Sequence, residues 1–176
     1  MALYGEIPRG LEQLIVNVLT NDTPGSNVLV PGSRGLDWNI ESDSDELEGD
    51  NSVIAVARNP KSLSGSIEIG RIGLTPLAAM IGGTVASTGT TPSVILSLEE
   101  SGSSASSYFQ AVGNTKSADT GTSGYRATLL KLLVTSGPNE SLTVNEWNTP
   151  TLDFTGVARG GILLKRQGFE TYVALA

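Results

Sequence analysis

The chain has 176 residues and a mass of 18.3 kDa, the size of one domain. It contains no Cys and no His, which excludes disulfides, thiolate or imidazole catalysis, and metal sites built on either residue. Eleven Lys and Arg against 18 Asp and Glu give a net charge of −7, which opposes any electrostatic grip on phosphates.

Hydrophobic residues make up 39% and the mean hydropathy is +0.02, enough for a core. Only 16% of residues are charged, so much of the surface is expected to be covered in the working state. The opening MALYGEIPRGLEQL has no basic segment followed by an apolar run, and no stretch reaches the roughly 18 apolar residues of a membrane span. The expectation is one domain over 1–176, without signal peptide or membrane contact.

Residues 11–20 are apolar on both faces, as a strand covered on each side would be. Turn signals follow at Thr23-Pro24-Gly25 and Pro31-Gly32. Leu36, Trp38 and Ile40 then alternate with Asp37, Asn39 and Glu41, the period of a half-buried strand. Between 41 and 50 lie Glu41, Asp43, Asp45, Glu46, Glu48 and Asp50 with no basic residue among them, which predicts an extended acidic loop. Residues 53–57 are again apolar on both faces, and Leu63, Ile67 and Ile69 share one face of a further strand.

One helix is signalled, over about residues 75–82. Thr75 can cap it, Pro76 suits its first position, and Gly82-Gly83 supplies the stop. Val94, Leu96 and Leu98 mark another strand, and Ser101–Ser107 and Gly113–Gly124 are composed as loops. Residues 125–134, YRATLLKLLV, fit either a strand or a helical stripe through Tyr125, Leu129, Leu132 and Leu133, with the strand favoured. After a turn at Ser136-Gly137-Pro138, Leu152 and Phe154 alternate with polar neighbours, and Phe169, Val173 and Leu175 do so near the end. These elements predict a mainly β fold, a sandwich or barrel with one short flanking helix and extended loops or terminal arms.

Few residue groups suggest chemistry. Counted from Asp43, the acidic segment puts Leu47 and Glu48 where a calcium loop needs an oxygen ligand and a glycine, so that motif fails. Glu99 and Glu100 are adjacent, but neighbours on a strand point to opposite faces and cannot share a site. Gly70-Arg71-Ile72-Gly73 lacks the third glycine of a dinucleotide fingerprint. Asn21-Asp22-Thr23 and Asn139-Glu140-Ser141 match glycosylation acceptors by composition alone. Trp38 and Trp147 read as core or interface anchors. No catalytic, metal or cofactor site is expected, and the chain reads as a non-enzyme.

The order of a strand SLSGSIEIG, a helix TPLAAMIGG, a Ser/Gly-rich hairpin region, a strand GYRATLLKLLV and a strand TLDFTGVARGG resembles the major tail tube proteins of long-tailed bacteriophages. The resemblance covers roughly residues 53–161. It implies a β-sandwich flanked by a helix, in a virion structural protein made in the host cytoplasm. Six copies would close into rings that stack into a tube, meet other tail proteins and let DNA pass during ejection without binding it. Six copies at this charge would give a ring of about −42, repelling the DNA that slides through it. By position, residues 41–50 match the loop with which such proteins reach a neighbouring ring. Arg34, Arg58 and Lys61 are candidates to complete that inter-ring or inter-subunit contact. The rival expectation is a monomeric β-sandwich that binds to or decorates a virion.

Overall fold

A computed structural model describes residues 10–49, 52–71, 73–100, 106–118, 122–140 and 149–175. Eleven strands and one helix follow in chain order among them. The first strands are β1 (Gln13–Thr20), β2 (Thr23–Pro24), β3 (Val28–Leu29), β4 (Ser33–Gly49) and β5 (Ser52–Ile69). After the helix α1 (Leu74–Ile81) come β6 (Thr84–Thr88), β7 (Ile95–Glu99), β8 (Phe109–Lys116), β9 (Gly124–Asn139), β10 (Thr151–Gly156) and β11 (Leu164–Phe169). Nine strands form one antiparallel sheet in the order β2-β1-β8-β9-β10-β5-β4, with β3 on β1 and β11 on β9, while β6 and β7 form a separate hairpin.

The large sheet folds over on itself. A Cβ at Gly113 of β8 would lie 2.9 Å from Leu36 Cδ2 of β4, although these strands stand far apart in the pairing order. Between the two halves lies one core: Leu14, Val16, Phe109, Ala111, Ala127 and Leu129 from one side, Leu63, Ile67, Leu132, Leu152 and Phe154 from the other. The mainly β, sandwich-like fold with a single short helix is thus established.

β9 is a strand throughout, and its ambiguous pattern has a cause. Phe109 pairs with Leu132 but Ala111 with Leu129, so β9 carries an extra residue there. The bulge switches the parity of the inward face from Ala127 and Leu129 to Leu132. An alternation broken by one residue looks, in sequence, like a helical stripe.

The helix differs from expectation at its start. Gly73 is the N-cap, without a side-chain bond, and exposed Thr75 lies inside the first turn. Pro76 is buried, still among the positions whose N–H has no helical partner. The stop is as expected: Gly82 has φ 79° and its N–H bonds the Ala78 carbonyl at 2.9 Å. Two turns are marginal alone, and burying Leu77 and Met80 contributes roughly 1.5–3 kcal/mol each.

Three other expectations are corrected. Gly113–Lys116 is not loop but the buried end of β8, and Gly124 opens β9; residues 119–121 lie outside the described residues. Residues 101–105 of the Ser-rich segment and Trp147 also lie outside them. The strand pattern at the C-terminal end stops at Phe169, and residues 170–175 make no ladder. Val94, Ile95 and Leu96 are exposed, with only Leu98 of that pattern packing on the core.

Candidate assembly interface

The acidic segment is no loop. Glu41–Gly49 continues β4 and pairs with β5 up to Gly49 opposite Ser52, with register shifts after Glu41 and after Leu47. Repulsion does not prevent this, because the part of β5 that pairs there, Ser52–Ser62, brings no carboxylate. Asp43 faces Asn59, Asp45 faces Ala57, Glu46 faces Val56 and Glu48 faces Val53. Successive residues alternate faces, so like charges on one side are about 6–7 Å apart. The run of β-branched residues Val53, Ile54 and Val56 favours the strand on the partner side.

The inner part of the β4–β5 pair belongs to the sandwich, with Leu36 opposite Ile67, Trp38 opposite Gly65 and Ile40 opposite Leu63. β5 also pairs with β10 there, through Leu63–Glu68. At Glu41 the register shifts: Ser62 pairs with Glu41 and Pro60 with Ser42, leaving Lys61 as the extra residue. Beyond that bulge the hairpin runs on as a two-stranded ribbon of about 23 Å.

The candidate residues divide accordingly. Glu41 is exposed and accepts a 3.1 Å bond from Ser62 Oγ. Asp43, Asp45, Glu46 and Glu48 lie along the ribbon, Arg58 sits opposite Ser44, and Lys61 is at its root. Asp50 lies outside the described residues. Arg34 does not join this group. It lies about 30 Å back along β4, 3.7 Å from Glu68, in a pair whose side chains are 59% and 42% exposed.

A second feature carried no clear sequence signal. The side of β1 bearing Ile15 and Asn17, both buried, is closed by residues 170–175. That segment is tied by side chains instead of a ladder. The Leu175 N–H donates to Gln13 Oε1 at 2.8 Å, and Asn114 Nδ2 and Arg126 donate to the Val173 carbonyl at 2.8 and 3.2 Å. The Tyr172 N–H donates to Thr122 at 2.6 Å. A cavity of about 440 Å³ remains between this strap and the sheet. The apolar pattern of 11–20 is therefore satisfied within the chain, and the side chains of 53–57 lie outside the described residues.

A smaller cavity of about 280 Å³ opens where the halves of the sandwich meet, lined by Leu11, Leu36, Trp38 and Tyr125 among others. Among the described residues there is no group of three or more Asp or Glu able to hold a metal ion, and no helix long and apolar enough to cross a membrane.

No protein-family profile and no curated protein matches the sequence. Solved structures do. The chain is similar to the tube-terminating cap protein of the anti-feeding prophage, with TM-score 0.51 and 13% identity over 95% of this chain and 94% of that one. It is also matched to the sheath/tube terminator of the PVC extracellular contractile injection system, at TM-score 0.48 and 16% identity over 94% and 99%. At such identities the first likeness is one of fold: nearly the whole chain folds as a tail-tube cap does.

Proposed function

We propose that this chain is a structural subunit of a phage-tail-like particle, one that closes into rings at the tube, six-membered as in the tail tube proteins it resembles. The observation that carries this reading is the β4–β5 ribbon. An isolated two-stranded ribbon is marginal in water, and this one continues well past the sandwich with a dense acidic strand. Such an element makes sense where another subunit covers it. The fold likeness to a tube-terminating cap supports a role at a tube end over one along its length. The net charge of −7 suits a wall that DNA passes without sticking.

The rival reading, a monomeric decoration module, keeps one supporting observation. The second face of β1 is closed by the chain's own C-terminal strap and requires no neighbour.

Light scattering after size exclusion, with negative-stain microscopy of the same fractions, separates these readings. Closed rings support a cap, stacked hollow tubes support a tube subunit, and a monomer at every concentration up to about 100 times a micromolar working range refutes assembly.

A further inference from the structure

The cavity under the strap has an unusual wall for so acidic a chain. Arg126, Thr128 and the amides of Asn17, Asn27, Gln110 and Gln167 line it, together with apolar groups, and among the described residues no Asp or Glu does. Arg126 lies 4.8 Å over the Phe169 ring and donates to the Val173 carbonyl, so its planar fork is held in place. Its Nε is buried without a partner, and so is Asn114 Oδ1 beside it. Both orphaned atoms flank the same strap carbonyl, which marks the strap as an imperfect cover for this face.

We propose that this cavity is the seat for the acidic ribbon of a second copy, with Arg126 pairing one of its carboxylates. The proposal rests on the assembly reading above and names the receptor that reading requires. Charge complementarity selects the occupant. The ribbon strand carries Glu41, Asp43, Asp45, Glu46 and Glu48, and a fixed guanidinium among amide and hydroxyl groups is the recognition chemistry for a carboxylate. The ribbon runs out beyond the sandwich from the bulge at Lys61, so the ribbon proposed as occupant is a neighbour's.

The test is a charge swap in the full chain, read as assembled fraction by light scattering at low salt. Arg126→Glu and, separately, Thr128→Glu are expected to lower assembly at least about tenfold. Thr128→Glu leaves Arg126 and the strap bonds in place, and circular dichroism checks that both variants are folded. Adding Asp43→Lys, Asp45→Lys and Glu46→Lys to Arg126→Glu is expected to restore assembly. Seat variants that assemble like wild type, or a swap that restores nothing, overturn the seat while leaving the assembly reading intact. A wild type that never assembles overturns both.

Discussion

Gly65 lies in the sandwich part of β5, between β4 and β10, and its missing side chain is a requirement. It pairs with Trp38 on one side and Phe154 on the other. A Cβ there would lie 2.7 Å from Phe154 Cζ and 2.9 Å from Trp38 Cα, and closer still to the Asp37 carbonyl oxygen. Phe154 could turn its ring, but Asp37 and Trp38 oppose with backbone, which moves only if β4 shifts off β5. Overpacking typically costs 1–3 kcal/mol, and a backbone obstacle puts Gly65→Ala near the upper end, about 3 kcal/mol. At roughly 2–4 °C per kcal/mol for a chain of this size, its melting temperature should fall about 6–12 °C. Gly137 is the control: a Cβ there meets nothing within 4 Å, so Gly137→Ala should melt within about 2 °C of wild type. Thermal melts of the three proteins by circular dichroism decide the matter. Equal melting of Gly65→Ala and wild type would refute the close β4–β5–β10 packing.

Leu129→Ala, at a site with no solvent exposure, should cost about 2–5 kcal/mol in denaturant unfolding, well above any surface change. Gly82→Val forces a β-branched residue to φ 79° and should cost roughly 1–2 kcal/mol; an unchanged melting curve would show that the helix does not end there. Lys131 lies 2.7 Å from Asp22, but that carboxylate is 54% exposed, so Asp22→Ala should cost no more than about 1 kcal/mol, shrinking further in high salt. Reversing Asp43, Asp45 and Glu46 to Lys should leave the far-ultraviolet spectrum unchanged while reducing assembly; a triple variant that assembles like wild type at every salt concentration removes the ribbon from the interface.

The class of fold was legible because burial here follows period two over most strands. Leu152 and Phe154 are buried between exposed Asp153 and Thr155, as their alternation requires. The pattern fails where a local irregularity shifts it: the bulge in β9 hides a strand behind a helical stripe, and Pro76 sits two residues deeper than a capping rule alone would put it. The acidic strand was hidden for another reason. Charge density within one segment says nothing of what pairs with it, and only the register against the carboxylate-free stretch Ser52–Ser62 of β5 makes it tolerable. Arg126 was invisible because its meaning comes from four distant segments: Phe169 beneath it, Val173 before it, and β1 and β8 around the cavity. Asn17 was the nearest clue, a lone polar residue in an apolar strand, and its Nδ2 donates to Asn27 Oδ1 at 2.6 Å.

The charge pattern has to reconcile two demands on an assembling subunit. Copies at −7 repel one another at long range. Physiological salt screens such repulsion beyond about 8 Å, so it sets solubility more than it sets contact geometry. Cohesion must then come from contact-range features. A guanidinium held against an aromatic ring and partly enclosed is screened far less than a surface lysine. The acidic strand of the ribbon has no basic residue between Glu41 and Gly49. Its five carboxylates outnumber the two cations, Arg58 and Lys61, of the opposite strand, so the ribbon as a whole is net acidic. The same net charge that keeps free copies apart is therefore compatible with one specific contact, provided the cation is placed on the neighbour and shielded from water.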